Sequence, residues 1–177
     1  MSTFKRNALA FAALAALVGC NAAKSGDTAQ AAHSADPQVA HVGQPAPGWT
    51  EPLATGGSLN LASLRGKAVY LNFFATWCPP CNEEAPAIEA LQRQFGSQGL
   101  QVVGVDVLEN ATKAKAFVTG HHLSYPALVD SGDLRDQYDI NGLPVHVFID
   151  RKGIVRNIVV GELAPDEMRA NVTSILK

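Results

Sequence analysis

The feature that most constrains this chain is a junction: the run Ala68-Val-Tyr-Leu-Asn-Phe-Phe74 leads through Ala75-Thr76-Trp77 into Cys78-Pro79-Pro80-Cys81. The run is β-branched and aromatic, with the length of a strand buried on both faces. The segment after it, from about Pro79 to Gln98, accepts proline in a first helical turn and spaces Ile88, Leu91 and Phe95 along one face. A C-x-x-C is therefore set where a buried strand passes into a helix, with Cys81 one helical turn beyond Cys78.

The remaining pattern repeats that theme. Gln101 to Val107 is a second buried-strand candidate and Thr112 to His121 a second helix, so strand and helix alternate and call for parallel pairing. A short strand near Ala127 to Val129 and a helical turn near Leu134 to Tyr138 come next. Val145 to Ile149, the turn Arg151-Lys152-Gly153 and Ile154 to Val160 read as an antiparallel hairpin, and Pro165 to Leu176 as a closing helix opened by proline and acids. Upstream, Pro45, Pro47 and Trp49 mark an entry loop and Ser58 to Leu61 an edge strand. The predicted class is α/β, with a central mixed sheet flanked by helices.

The nucleophile of disulfide exchange is a thiolate, and a free thiol of pKa about 8.5 is only slightly ionised near neutrality. A helix N-terminus stabilises a nearby anion by at most ~2 kcal/mol, roughly one pKa unit, so amide hydrogen bonds or the Cys81 thiol must supply any further activation. Cys78, at the exposed turn, is the expected attacking thiol, and the more shielded Cys81 the resolving one. A structural disulfide, half of a zinc site and two buried thiols are the competing readings. Zinc needs two further ligands, and beyond the pair the chain offers only scattered histidines at 33, 41, 121, 122 and 146. A bridge of this span closes too small a loop to remove much unfolded-state entropy. No metal or organic cofactor is called for, because the Cys78-Cys81 disulfide is itself the redox group.

Lys5 and Arg6 precede the apolar run Ala8 to Val18, the layout of an export signal, and that run is too short to span a bilayer stably. Leu17-Val18-Gly19-Cys20 resembles the lipobox of bacterial lipoproteins, which implies cleavage before Cys20 and its lipidation; signal cleavage elsewhere, with Cys20 discarded, is the other reading. The expected division is a lipoprotein signal peptide over 1–19, a lipid-anchored flexible linker over 20–41 and one folded domain over 42–177. The linker is too poor in large apolar side chains to offset the entropy of ordering. Two or more acyl chains make a lasting membrane tether. Asn21, rather than Asp, after the anchor points by the same resemblance to the outer membrane. With Cys20 taken by lipid, Cys78 and Cys81 are left with each other in an oxidising compartment. A net charge of -2, from 14 basic and 16 acidic residues, provides no basic stripe for nucleic acid.

The run Phe73 to Cys81, the later Gly142-Leu143-Pro144 and Phe148-Ile149-Asp150 together resemble thioredoxin-like thiol:disulfide oxidoreductases of the TlpA and ResA type. The resemblance covers Val42 to Lys177 and implies a thioredoxin fold with an N-terminal strand extension and a central αβ insertion. It implies a cis Pro144 beside the cysteines, with Trp77, Pro79, Pro80, Leu143 and Pro144 receiving an extended substrate segment in strand fashion. It also implies a third catalytic residue, Glu84, near the buried thiol of Cys81 and able to accept its proton; a solvated glutamate beside Glu83 is the plainer alternative. Asn72 stands where thioredoxin has a buried aspartate, so that aspartate's role does not carry over. His146 either faces the cysteines or is a hydrogen-bonded strand residue, and His121-His122 read as a helix terminus.

The function so implied is that of a monomeric envelope reductase facing the periplasm. Its electrons would come from an upstream membrane donor and pass to disulfides of exported proteins such as apocytochrome c or copper-site proteins. Val145-His146 after the proline departs from the acidic residue usual in the cytochrome c biogenesis branch. A disulfide-forming oxidant, and a copper-binding chaperone using Cys78, Cys81 and His146, are the alternatives. The proline-threonine-cysteine arrangement of peroxiredoxins is absent around Cys78.

Overall fold

The computed structural model describes residues 39–177; the export signal, Cys20 and most of the linker lie outside the described residues. In chain order the elements are β1 (Thr50–Pro52), β2 (Ser58–Asn60), β3 (Ala68–Phe74), α1 (Pro79–Phe95), β4 (Leu100–Val107), α2 (Ala111–Gly120), β5 (Ala127–Asp130), α3 (Asp133–Gln137), β6 (Val145–Ile149), β7 (Val155–Val160) and α4 (Pro165–Ile175). The main sheet has the order β5-β4-β3-β6-β7, with β3, β4 and β5 parallel and β6 and β7 antiparallel to their neighbours. This is the expected mixed sheet of a thioredoxin fold, with β1–β2 as the strand extension and α2–β5 as the αβ insertion.

Every residue of β3 is buried, and the two-residue period of a strand divides its side chains between two cores. Tyr70 and Phe74 join Ile88, Leu91 and Phe95 of α1 and Met168 and Val172 of α4. Val69, Leu71 and Phe73 join Trp49, Leu134 and Tyr138 on the opposite face. Phe74 also stacks on Phe117 of α2, with ring centroids 4.2 Å apart. A Cβ on Gly104 of β4 would lie 3.0 Å from that phenylalanine ring, so only glycine lets the ring sit flat between strand and helix.

Each sheet edge is met at one end by an upstream segment, which shortens the run of unpaired groups it presents. At β5 the Ala54 amide donates to the Ala127 carbonyl at 2.9 Å, and at β7 Gly43 and Gln44 exchange hydrogen bonds with Val155.

Several boundaries differ from expectation. The strand expected over Ser58 to Leu61 stops at Asn60, whose side chain accepts from Ser63 N–H and starts a 3-10 turn over Leu61–Leu64. The helix expected to reach Gln98 ends at Phe95 in a tighter turn closed by Gly99 at φ 94°. Pro86 lies inside that helix without ending it. Strand β1 was not foreseen. Ala40, expected in the linker, is buried and donates to the Gln137 carbonyl at 2.8 Å, so the folded unit begins before Val42.

The topology gathers the site. Because β3 and β4 are parallel, their carboxyl ends open side by side, and β6, running the other way, begins at that same edge. The loops after Phe74, after Val107 and before Val145 therefore meet, as ligand-bearing loops do at strand carboxyl ends of α/β sheets.

Candidate active site

Cys78 and Cys81 form a disulfide, with Cα atoms 5.3 Å apart. Cys78 is the N-cap residue of α1, and Pro79 and Pro80 occupy the first two helical positions. Proline carries no N–H, so the first amide this helix end can offer is that of Cys81, and it donates to Cys78 Sγ at 3.3 Å. The attacking sulfur is thus the acceptor of the helix's leading N–H group, a bond that strengthens when the sulfur is anionic.

The exposed position expected for Cys78 is not observed. Cys78 is 3% exposed and Cys81 2%, and both sulfur-bearing residues pack in the core cluster that holds Ala85 and Ile88. The exposure falls on their neighbour instead, since Trp77 is 68% exposed. Pro79 is exposed and Pro80 half-buried. A groove of about 220 Å³ runs beside Trp77, lined by Leu108, Ile140, Gly142 and Leu143 among others. The Leu143-Pro144 peptide is cis, as the resemblance implies, and Leu143 packs against both cores.

Glu84 lies one turn after Cys81 on the inner face of α1 and is 4% exposed, whereas Glu83 is exposed. The solvated reading of Glu84 is therefore wrong. Its Oε1 accepts from Leu163 N–H at 2.5 Å, and its Oε2 is buried without a hydrogen-bond partner. Burial pushes its pKa up to about 7; the Leu163 N–H pulls the other way and the charge of Glu162 adds to the rise.

His146 is fully buried, with Nδ1 2.8 Å from Tyr70 Oη and Nε2 3.2 Å from the Gly161 carbonyl. Burial holds its pKa down at about 4 against the opposing pull of that carbonyl, so the ring is neutral at physiological pH. The 3.4 Å approach of Nε2 to Glu84 Oε2 is accordingly a contact with a neutral ring and not an ion pair. Because both ring nitrogens are engaged inside the sheet, His146 is a hydrogen-bonded strand residue rather than a third ligand beside the sulfurs.

Several residues of the site escaped the sequence reading. Glu109 accepts from Thr76 N–H at 2.6 Å and from Thr76 Oγ1 at 2.8 Å, fixing the loop two residues before Cys78. Asn82 donates from Nδ2 to the Thr76 carbonyl at 3.1 Å and the Cys78 carbonyl at 2.7 Å, while its Oδ1 accepts from His121 Nε2 at 2.9 Å. The helix terminus read at His121 is real, since His121 is the C-cap of α2. Its side chain, however, is aimed at the redox loop. Helix α2 thus holds that loop from both ends, through Glu109 just before it and His121 just after it. One signal was available: residues directly after two adjacent parallel strands are neighbours, which pairs Glu109 with Thr76.

Beneath this clasp, Asp106 of β4 is fully buried with neither oxygen hydrogen-bonded to a protein donor. Burial first, and then the charge of Glu109, push its pKa up to about 8. Burial also raises Glu109, but the Thr76 amide, Lys113 and the Thr76 hydroxyl outweigh it and hold that carboxyl below the usual range. A carboxyl so shifted is largely protonated near pH 7, so Asp106 stands uncharged beside the Glu109 carboxylate.

The comparisons agree with this geometry. The family model described as AhpC/TSA matches residues 42–158. The chain is 30% identical over 172 residues, 97% of its length and 98% of the relative's, to the thiol-disulfide oxidoreductase ResA of Bacillus cereus. Among solved structures it resembles a thioredoxin-family thiol:disulfide interchange protein from Chlorobium tepidum, with a TM-score of 0.71, 31% identity and coverage of 81% of this chain and 99% of that one. A second Chlorobium tepidum structure, titled a thiol:disulfide interchange protein DsbE, gives a TM-score of 0.72 at 28% identity, covering 78% of this chain and 99% of the other.

Proposed function

This chain belongs to the AhpC/TSA family and is a thiol:disulfide oxidoreductase, and from that premise we propose that it is an envelope reductase that opens disulfides of exported proteins. The observation that carries the proposal is the Cys78 sulfur seated on the leading N–H of α1, with Glu84 buried one turn behind Cys81. In the reduced protein the Cys78 thiolate attacks one sulfur of the substrate disulfide, and the other substrate sulfur leaves as a thiolate and takes up a proton. Cys81 then gives its proton to Glu84 and attacks Cys78 Sγ. The second substrate thiol departs, and the Cys78-Cys81 bridge closes. Two electrons have passed to the substrate, and an upstream membrane donor returns two electrons and two protons to the bridge.

Trp77, Pro79, Pro80, Leu143 and Pro144 form the surface on which an extended substrate strand lies, and the groove beside Trp77 gives that strand an apolar wall. Substrates such as apocytochrome c or copper-site proteins fit a reductase whose own cysteines are shielded. The anchor is a lipidated Cys20 facing the periplasm, and the enzyme works as a monomer.

The test is a Cys81→Ser variant of the full chain in its native envelope. Mixed disulfides on Cys78 should accumulate with a few defined partners, and their absence in both wild type and variant sinks the reductase reading. A reduction potential near about -270 mV supports the reductase, whereas one near about -120 mV makes the protein a disulfide-forming oxidant.

A further inference from the structure

The sulfur chemistry leaves a buried polar chain on the inner face of the sheet unexplained. In the register of β3 and β6, Asn72 pairs with His146 and Tyr70 with Phe148, which puts Tyr70, Asn72 and His146 on the face covered by α1. A carbonyl oxygen only accepts, so the contact of Nε2 with Gly161 O fixes the proton of the neutral His146 ring on Nε2. Nδ1 is then a lone pair, and it receives the Tyr70 hydroxyl at 2.8 Å with the Asn72 amide at 3.5 Å. The same Nε2–H lies 3.4 Å from Glu84 Oε2, the carboxyl oxygen that has no other partner.

The segment after β7 ties these groups to the substrate loop. Gly161 N–H donates to the Pro144 carbonyl at 2.8 Å and Gly161 O faces His146, while two residues on Leu163 N–H holds Glu84 Oε1.

We propose that His146 is a positioning residue for disulfide exchange: Tyr70 holds it as the neutral Nε2–H tautomer, and in that form it steadies the Glu84 carboxylate that receives the Cys81 proton. This rests on the reading of Glu84 as that acceptor. One proton moves, from Cys81 Sγ to Glu84; the ring keeps its own and shifts its hydrogen bond from Gly161 O toward Oε2 while the carboxyl is charged. The ring is no conduit, because His146 and Tyr70 are both fully buried and offer no outlet to water. Cys81 lies one turn before Glu84 on α1, and the groups facing Glu84 are His146 on β6, Tyr70 on β3 and Glu162 in the connection to α4. A charged ring there would pin the carboxylate and deprive it of basicity, and the burial that keeps the ring neutral avoids this.

The experiment measures product release from a preformed mixed disulfide on Cys78 of the full chain, over about pH 5 to 9, for wild type, His146→Val, His146→Gln, Tyr70→Phe and Glu84→Gln. In His146→Val the carboxylate loses the donor that faces Oε2, the pH profile moves up by about one unit, and release at pH 7 slows about fivefold. In His146→Gln the amide N–H restores part of the rate, and in Tyr70→Phe, where the ring is intact but its tautomer is free, the profile moves the same way by less. Profiles of His146→Val and Tyr70→Phe that coincide with wild type, while Glu84→Gln flattens the curve, overturn the role of His146 and leave Glu84 standing. A Glu84→Gln profile unchanged from wild type overturns the Glu84 reading and this proposal with it. If His146→Val does not fold, the Tyr70→Phe shift alone decides.

Discussion

Two buried carboxyls flank the redox strand β3, one on each side, and they differ in what faces them. Glu84 has a backbone N–H on one oxygen and a neutral imidazole near the other, and it sits at about 7. Asp106 has no protein donor on either oxygen and a second carboxyl for company, and it sits at about 8. A carboxyl with one good donor, a neutral ring beside it and only the distant charge of Glu162 acting on it can gain and lose a proton near neutrality. A carboxyl that no donor faces and an anion crowds is held largely in its protonated form. The pair of sites therefore separates a proton acceptor that works from a carboxyl that stays neutral beside the charged Glu109, which holds Thr76 in place.

The largest effect that tests this contrast is kinetic. Glu84→Gln removes a base, and bases of this kind contribute about 10²-fold or more, so mixed-disulfide resolution near pH 7 should slow by about that factor. Asp106→Asn keeps that position uncharged and should change the same rate by less than about twofold. Stopped-flow measurement of both variants checks the pair, and equal slowing in the two would erase the distinction.

The half of the contrast that was legible in the sequence is the half that rests on local spacing. Glu84 is one helical turn from Cys81, so the helix alone puts both on its inner face, and the family resemblance adds the proton role. The cysteines at the strand-to-helix junction and the parallel pairing of β3 with β4 followed from hydrophobic runs of the right length. The clasp of Glu109 on Thr76 and of His121 on Asn82 was invisible because those contacts cross 33 and 39 residues. Such pairings depend on strand register and on where α2 lands, and nothing in local periodicity encodes either. The exposure of Cys78 was misjudged for a related reason: a helix tip is open in isolation and is closed here by core packing from distant segments.

A smaller effect appears in stability. A buried acid whose pKa is raised in the folded state favours folding least when the unfolded chain ionises it and the native state does not. The deficit is absent below the unfolded value of 3.8 for Asp106, grows as pH rises, and is complete by about 8. For Glu84 the window runs from 4.5 to about 7. Asp106→Asn and Glu84→Gln should both be more stable than wild type above their windows, by up to about 1.4 kcal/mol per pH unit traversed, and no more stable at pH 4. Only Glu84→Gln should exchange that gain for activity, the signature of a strained functional group. Urea unfolding of the oxidised full chain at pH 4, 6 and 8 provides the measurement, and a pH-independent gain in either variant would show that its pKa is not raised by burial.

The smallest expected effect concerns how Glu109 keeps its charge beside a protonated Asp106. Lys113 lies 2.9 Å from Glu109 with its side chain 54% exposed, whereas the two Thr76 donors lie inside the loop. The Glu109 side chain is only 3% exposed, but the lysine end of the pair lies in solvent, where it is screened and contributes little. The inner donors should therefore suffice to keep Glu109 charged and Asp106 protonated once the lysine is gone. Lys113→Met should change the alkylation rate of Cys78 in the reduced protein by less than about twofold, and about half-molar salt should change the wild type by a similar amount. Glu109→Gln, which leaves one carbonyl oxygen to serve both Thr76 donors, should change it more. A Lys113→Met effect as large as that of Glu109→Gln would mean that the exposed cation, and not the loop, decides which of the two acids is charged. Asp106 would then no longer be held neutral by its surroundings alone, and the two flanking carboxyls would no longer differ in kind.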